Sequence, residues 1–377
     1  MKNRHRSIVI LPVVVLAAIL SLSVLPAEGR IVEETVHCPS LVGSLLGDAA
    51  ERNISVYLPP AYDEESDRGY PVLYLLHGYG GTNRLWTGGG YLGGEMDVGP
   101  LADALIGAGQ LEPMILVMPD TYSEYVGSFF ASSSVVGDWE GAIVRDLVDY
   151  IDEAYRTLPS AASRGVAGHS MGGYGAMRLA MKYPDVFGAV YAMSPGFMGL
   201  VDPENSRNFH NSTWPAALGA TSFSSASETS KIQIAYAAVA SPNPDKPPLY
   251  VDLPFEMDSS GQLHRIDAIW DLWVAQTPLA MLAQYGSSLA GMRGVAIDWG
   301  SADYYTHVVA DSRAFAAALS DAGIDHMSEE YSGGHGNRIR ARMESHVLPF
   351  FNEELSHRPA STVVEATIWG RIKIQSP

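Results

Sequence analysis

The sequence has 377 residues and a formal net charge of −18, with 47% hydrophobic and 18% charged residues. The acidic balance argues against nucleic acid, which requires a basic face, and against an anionic membrane surface as the main partner. The apolar content is ample for a buried core, and the length suits one large α/β domain or two ordinary ones.

The N-terminus predicts export. A basic stretch over 1–6 precedes an apolar run over 7–26, and the small residues Ala27 and Gly29 suit signal-peptidase cleavage. We therefore expect a signal peptide over 1–29 and a secreted or periplasmic protein without membrane association after cleavage. The alternative is an uncleaved anchor helix, because the run approaches the length that spans a bilayer.

The next part of the chain alternates apolar runs with helical patterns. Continuous apolar runs are typical of strands buried on both faces of a parallel sheet. The runs predict strands over 53–60, 71–78, 114–120, 163–170 and 188–195, and the helical spacing predicts helices over 139–157 and 171–183. Strands alternating with helices predict an α/β fold with a doubly wound, mostly parallel sheet.

The regular pattern stops after Pro195 and resumes near residue 278. Residues 196–276 have no sustained period, and we interpret them as a long insertion, or lid, over the carboxyl ends of the strands. The regular pattern then predicts helices over 278–292, 308–323 and 337–355, and strands over 294–300 and 326–333. We therefore predict one domain over 30–355, followed by a tail over 356–377 whose role the sequence does not assign.

Ser170 lies in the pattern Gly168-His169-Ser170-Met171-Gly172. This pattern fits the G-x-S-x-G nucleophile elbow, and its predicted position between a strand and a helix is the context that such an elbow requires. The flanking glycines suit a tight turn in which larger side chains would collide with the backbone. We therefore predict that Ser170 is a nucleophile.

A nucleophilic serine needs a base and a carboxylate that orients the base. His335 lies in a glycine-rich loop after the last predicted strand, so we expect it at the same sheet edge as Ser170. His307 is a weaker candidate for the base. We interpret His326 and His346 as structural residues. Asp303 follows the strand over 294–300 and is favoured over Asp298, which lies within that strand.

When a serine attacks a carbonyl group, negative charge develops on the carbonyl oxygen in the transition state. Two backbone N–H donors are therefore expected near this oxygen to stabilise the charge. The N–H group of Met171, which follows the nucleophile, is one candidate. The second candidate is the N–H group of Tyr79, in the glycine-rich loop after the strand over 71–78.

These motifs together resemble a known family. The segments SVYLPPAY, YPVLYLLHGYGGTNRLW, GHSMGGYGAM, YPDVFGAVYAMSP and GGHG are similar to those of the esterase-D-type esterases of the α/β-hydrolase superfamily. That group includes feruloyl and acetyl-xylan esterases, S-formylglutathione hydrolases and mycolyltransferases. The resemblance covers roughly 50–195 and 278–355, and by it the family's triad falls on Ser170, Asp303 and His335. The insertion and the tail have no recognised counterpart.

The resemblance implies a serine carboxylesterase that requires no metal or organic cofactor, and the N-terminal stretch predicts that it is exported. The expected substrate is a small or polysaccharide-linked ester, such as a feruloyl or acetyl ester. Expected substrate contacts are His169, Trp86, Trp270 and Trp273, and Trp214 and Phe223 are further aromatic residues of the insertion. The alternatives are an acyltransferase of the mycolyltransferase type and a non-catalytic exported binding protein. The oligomeric state stays open.

Overall fold

The computed structural model describes residues 28–89 and 96–358. The predicted signal peptide lies outside the described residues except for Glu28 and Gly29, and the predicted tail lies outside them beyond Arg358. Within the described part of the chain, no helix is long and apolar enough to cross a membrane.

The core of the fold is an eight-stranded sheet. Its strands are β1 (Arg30–His37), β2 (Glu51–Leu58), β3 (Val72–Leu76), β4 (Ile115–Pro119), β5 (Arg164–His169), β6 (Ala189–Met193), β9 (Gly294–Gly300) and β10 (Met327–Tyr331), in the order β1-β2-β4-β3-β5-β6-β9-β10. The first two strand pairs are antiparallel and all the others are parallel. This arrangement confirms the predicted mostly parallel sheet.

Two apolar layers cover the faces of this sheet. Alternate residues of β3 enter different layers, because side chains along a strand point to opposite faces: Val72, Tyr74 and Leu76 enter one layer, and Leu73 and Leu75 the other. The helices on the first face are α2 (Trp139–Gly141), α3 (Val148–Ala154), α4 (Met171–Lys182), α8 (Pro278–Ala290) and α9 (Thr306–Asp321). The helices on the second face are α1 (Val98–Gly107), α10 (Ile339–Arg342) and α11 (Leu348–Glu354).

Two of these helical segments contain a wider, π-helical stretch. Ala142–Leu147 joins α2 to α3, and Met343–Val347 joins α10 to α11. The two joined segments correspond to the helices predicted over 139–157 and 337–355, so the predicted helices are confirmed.

The insertion contains regular elements that the sequence pattern does not predict. They are α5 (Trp214–Leu218), α6 (Glu228–Ala240), the hairpin of β7 (Phe255–Met257) and β8 (Leu263–Arg265), and α7 (Asp267–Ala275). The last seven residues of α6, from 234 to 240, are all buried, so this helix has no polar face over its second half. A helix is recognised in a sequence by apolar residues on one face and polar residues on the other. Residues 228–240 lack this alternation, so the sequence does not indicate a helix there.

The first segment of the insertion is fixed to α9. The His307 Nδ1 atom lies 2.9 Å from the Ser206 Oγ atom. One turn later, the buried Asp311 carboxylate accepts hydrogen bonds from the backbone N–H groups of Leu200 and Val201, each at 2.9 Å. Because α9 begins directly after the loop that carries Asp303, this helix holds the insertion beside that loop.

Candidate active site

Ser170 occupies a strained turn between β5 and α4. Its backbone has φ 59° and ψ −118°, a conformation that L-residues rarely adopt, and its N–H group donates to the Met193 carbonyl at 3.0 Å. A Cβ atom on Gly168 would lie 2.3 Å from the Gly172 carbonyl carbon, and one on Gly172 would lie 2.3 Å from the Leu76 carbonyl oxygen. Only glycine fits at both positions, as the elbow pattern predicts.

The structure brings His335 and Asp303 to Ser170. The His335 Nε2 atom lies 2.9 Å from the Ser170 Oγ atom, and its Nδ1 atom lies 2.7 Å from the Asp303 Oδ2 atom. The second Asp303 oxygen accepts the Tyr305 backbone N–H at 2.8 Å, which fixes the carboxylate. The carboxylate holds the ring proton on Nδ1, so Nε2 is free to accept a proton from the serine hydroxyl.

The alternative acid, Asp298, serves a different purpose. Its Oδ2 atom accepts hydrogen bonds from the Arg342 Nε atom at 2.7 Å and from the Tyr191 hydroxyl at 2.8 Å. Burial raises the pKa of Asp298 to about 6, and the Arg342 charge opposes this shift. Asp298 is therefore engaged in a buried ion pair, away from the histidine that contacts Ser170.

The alternative histidines also have other partners. His307 lines the same cavity as Ser170, but burial and, to a lesser extent, the neighbouring His335 side chain lower its pKa to about 3. His326 donates from Nδ1 to the Ile324 carbonyl at 2.8 Å, and the His346 Nε2 atom lies 3.2 Å from a Glu329 carboxylate oxygen.

The two predicted backbone donors, Tyr79 and Met171, both line the cavity that contains Ser170. Among the described residues, neither backbone N–H group has a hydrogen-bond acceptor. The loop before Tyr79 is fixed by buried His77, whose Nδ1 atom donates to the Gly78 carbonyl at 2.8 Å. Its Nε2 atom accepts the Thr121 backbone N–H at 2.9 Å. The Tyr79 hydroxyl donates to a backbone carbonyl at 3.0 Å, so the whole residue is held in place.

The cavity at Ser170 has a volume of about 410 Å³ and a mainly apolar lining. The apolar walls include Val126, Phe129, Phe197, Ile232 and Val308. This volume is in the range of small-molecule sites, so a compact acyl group fits against the serine. Two of these wall residues, Phe197 and Ile232, come from the insertion.

The structure corrects the predicted tryptophan contacts. Trp86 and Trp273 are fully buried and Trp270 is 7% exposed, and none of the three lines the cavity. Trp86 belongs to the apolar layer beside α1, whereas the Trp273 Nε1 atom donates to the Ser241 Oγ atom inside the insertion at 2.8 Å. These side chains stabilise the core, because burying a large aromatic ring contributes more there than at a solvated wall.

His169 and the insertion residues Trp214 and Phe223 also do not line the cavity, although the sequence suggests them as substrate contacts or aromatic wall residues. His169 is buried and donates from Nε2 to the His335 carbonyl at 2.7 Å, so it contacts the base and not the cavity. Burial lowers its pKa to about 3. Trp214 is fully buried, and Phe223 stacks on Tyr125 with ring centroids 4.4 Å apart.

Other cavity residues are absent from the sequence-based prediction. Tyr304 and Tyr305 follow Asp303 directly, and Phe197 follows the end of β6 closely. Because the two tyrosines adjoin the predicted acid and Phe197 adjoins a central strand, their positions in the sequence are a usable signal. Asn208, Glu228 and Ile232 had no such signal, because the folding of the insertion alone brings them to the cavity.

Comparison with known proteins agrees with this geometry. A family model described as Putative esterase matches residues 49–339. Esterase Rv1288 of Mycobacterium tuberculosis (strain ATCC 25618 / H37Rv) is 31% identical over 287 residues, which cover 75% of this chain and 52% of that protein. An endo-1,4-beta-xylanase/feruloyl esterase of Xylanibacter ruminicola is 29% identical over 182 residues, covering 42% of this chain and 24% of that protein.

Solved structures show the same fold. A ferulic acid esterase superposes with a TM-score of 0.59 at 20% identity, covering 87% of this chain and all of that chain. The fluorophosphonate-binding serine hydrolase FphF of Staphylococcus aureus gives a TM-score of 0.56 at 16% identity, covering 87% of this chain and 99% of that chain. The chain spans about half the length of the M. tuberculosis relative. It has the α/β-hydrolase fold and belongs to the Putative esterase family.

Proposed function

We propose that this protein is a serine carboxylic ester hydrolase. The observation that supports it is the unbroken series of contacts from the Ser170 Oγ atom through His335 to Asp303, with distances of 2.9 and 2.7 Å. This series ends at a cavity of about 410 Å³, which has room for an ester. The membership of the chain in an esterase family supports the same activity.

The proposed reaction proceeds through an acyl-enzyme. His335 Nε2 accepts the proton of Ser170 Oγ while Oγ attacks the acyl carbon. The N–H groups of Tyr79 and Met171 stabilise the oxygen that becomes negative. The C–O bond to the alcohol then breaks, and the alcohol leaves with the proton from His335. Water, deprotonated by the same histidine, attacks the acyl carbon, and Ser170 leaves with that proton as the acid is released.

The proposed substrate is a feruloyl or acetyl ester linked to a polysaccharide, hydrolysed outside the cytoplasm. The aromatic and aliphatic walls formed by Phe129, Phe197 and Val126 suit an aromatic or short acyl group. The basic and apolar N-terminal stretch supports export. The relative from X. ruminicola carries the name of a feruloyl esterase, which supports the same class of substrate.

The test compares hydrolysis of p-nitrophenyl acetate and methyl ferulate by the wild type and by Ser170→Ala. We expect the variant to lose roughly 10⁴- to 10⁶-fold in kcat, because the triad acts as a unit. Ser224→Ala changes an exposed serine of the insertion and serves as the control with full activity. Retained turnover in Ser170→Ala, with the fold intact by circular dichroism, would reject Ser170 as the nucleophile.

A further inference from the structure

Arg207 is a cation that lies next to Tyr304, a residue of the cavity wall. Its side chain is exposed, and it forms no salt bridge or hydrogen bond with any residue that the structure describes. Its guanidinium carbon lies 5.4 Å from the centroid of the Tyr304 ring, which lines the cavity. A free positive charge at this place is unusual in a chain whose net charge is −18.

The backbone on both sides of Arg207 is well fixed. The preceding Ser206 contacts His307 on α9 through its hydroxyl, at 2.9 Å. The carbonyl of Asn208, which also lines the cavity, accepts hydrogen bonds from the Gln233 side chain at 2.7 Å and from the Thr213 hydroxyl at 3.2 Å. The backbone at Arg207 is therefore held next to the cavity, although its guanidinium has no charged partner among the described residues.

Tyr304 lies beside the histidine that protonates the departing alcohol. In the proposed reaction His335 gives a proton to the leaving oxygen, so we expect the alcohol to lie near this ring. The Tyr304 ring lies 5.7 Å from the His335 ring in an edge-on arrangement. Tyr304 is 52% exposed although its ring also contacts Tyr305, with centroids 4.2 Å apart, so part of the ring is open to the alcohol half of an ester.

The other charges around the cavity already have partners. Asp303 pairs with His335 at 2.7 Å. Glu228, which acts electrostatically on Tyr79, pairs with Lys231 at 2.8 Å. Arg207, by contrast, has no charged partner among the described residues, so its guanidinium is available for a substrate.

We propose that Arg207 and Tyr304 bind the alcohol half of the ester and favour alcohols that carry a carboxylate. The guanidinium offers paired N–H donors that match a carboxylate, and the exposed ring of Tyr304 covers the apolar part of the alcohol. The acyl half then lies against the apolar walls. This inference rests on the proposed esterase function, and it identifies the class of ester.

The test uses two acetyl esters that differ in the charge of the leaving alcohol. 4-Acetoxybenzoate releases a phenol that carries a carboxylate, and the ester 4-acetoxybenzamide releases an uncharged phenol of similar size; in both compounds the acetyl ester is the one ester bond. The measured quantity is the ratio of kcat/KM for the anionic ester to kcat/KM for the neutral ester. The intrinsic reactivities of the two esters cancel when this ratio is compared between variants.

We expect Arg207→Gln to lower this ratio about 5- to 10-fold, since one charge-assisted contact to the anion is lost. Arg207→Lys keeps the positive charge and should retain most of the ratio. Arg84→Gln removes the same charge from an exposed arginine outside the cavity, and it should leave the ratio unchanged.

The outcomes separate the two proposals. If both esters are hydrolysed and Arg207→Gln has the wild-type ratio, the role of Arg207 is rejected while the esterase function stands. If Arg84→Gln lowers the ratio as much as Arg207→Gln, the effect comes from net charge and the role of Arg207 is again rejected. If the wild type hydrolyses neither ester nor p-nitrophenyl acetate, the esterase function itself fails, and this inference fails with it.

Discussion

His169 donates a hydrogen bond from Nε2 to the backbone carbonyl of His335 across 2.7 Å. His169, which precedes Ser170 in the chain, thus holds His335, whose ring contacts the Ser170 hydroxyl. Their rings also lie close together, with centroids 4.8 Å apart. Because a carbonyl oxygen can only accept, this contact places a proton on His169 Nε2, so the nucleophile turn and the histidine loop form one unit.

Removing this contact should weaken catalysis without altering substrate binding. We expect His169→Leu to lower kcat roughly 10- to 100-fold, because a small displacement of His335 disrupts the reacting geometry. KM for p-nitrophenyl acetate should stay near the wild-type value, since His169 does not line the cavity. His169→Gln keeps a donor and should recover part of the loss in kcat. A rise in KM with unchanged kcat would contradict this positioning role.

The two neighbouring carboxylates should separate catalysis from stability. Asp303→Asn should lower kcat by about 10⁴-fold, because the amide no longer holds the productive tautomer of His335. Asp298→Asn should keep kcat per folded molecule and lower the free energy of unfolding by roughly 1–3 kcal/mol, since its contacts with Arg342 and Tyr191 weaken. Steady-state kinetics and guanidinium unfolding of both variants test this, and the reverse pattern would make Asp298 the catalytic acid.

Two glycine substitutions should have opposite effects on stability. Gly172→Ala places a methyl group 2.3 Å from the Leu76 backbone oxygen of β3. Because a strand in the middle of the sheet cannot move aside without breaking its hydrogen bonds, we expect a loss of roughly 2–4 kcal/mol in the free energy of unfolding. In Gly286→Ala, within α8, the new methyl group lies 3.7 Å from the nearest atom, a side-chain carbon of Ile324, which is an ordinary contact distance. Because alanine favours the helical conformation more than glycine does, we expect the free energy of unfolding to rise by about 0.5–1 kcal/mol. Thermal unfolding of the two variants provides the comparison. Equal melting temperatures would reject the steric argument.

His307 should contribute to the loss of stability in acid. Burial lowers its pKa to about 3, below the value of about 6.5 in an unfolded chain. Between these pH values the unfolded state binds more protons than the folded state, so the free energy of unfolding falls as the pH is lowered. From pH 6.5 to 4.5 we expect a contribution of roughly 2–3 kcal/mol from this histidine.

Guanidinium unfolding across this pH range measures the effect. His307→Gln should show a shallower loss of stability than the wild type, because the titrating group is gone. His210→Gln changes an exposed histidine of the insertion and provides the control. Parallel pH dependences in the wild type and His307→Gln would show that burial of His307 has no such effect.

The sequence predicts the central sheet and the triad geometry better than the insertion. The strands around Ser170 are long apolar runs with local signals at their ends, so their positions follow from neighbouring residues alone. The structure does bring Ser170, Asp303 and His335 together at the predicted edge of the sheet. Strand β1 was not predicted, because as a largely exposed edge strand it lacks an apolar run.

The insertion was hard to interpret for a different reason. Whether a tryptophan such as Trp273 faces a cavity or a core depends on how α6 and α7 pack, and neither helix has a clear sequence pattern over its full length. An aromatic residue is equally suited to both surroundings, so its identity does not decide between them. The residues that do reach the cavity, such as Ile232, have no chemical signature that distinguishes them from core residues.

The attachment of the insertion to α9 has a consequence for redesign of this protein. Asp311 and His307 fix the residues before Asn208, and Tyr236 of α6 packs against Phe197 and against Tyr174 of α4, with ring centroids 4.5 and 6.1 Å apart. Both parts of the insertion are therefore tied to helices that flank the reaction centre. A transplant of residues 214–276 from a relative should keep the reaction centre intact only if it retains Tyr236, whereas Ile232 on the cavity wall can vary to change which acids are accepted.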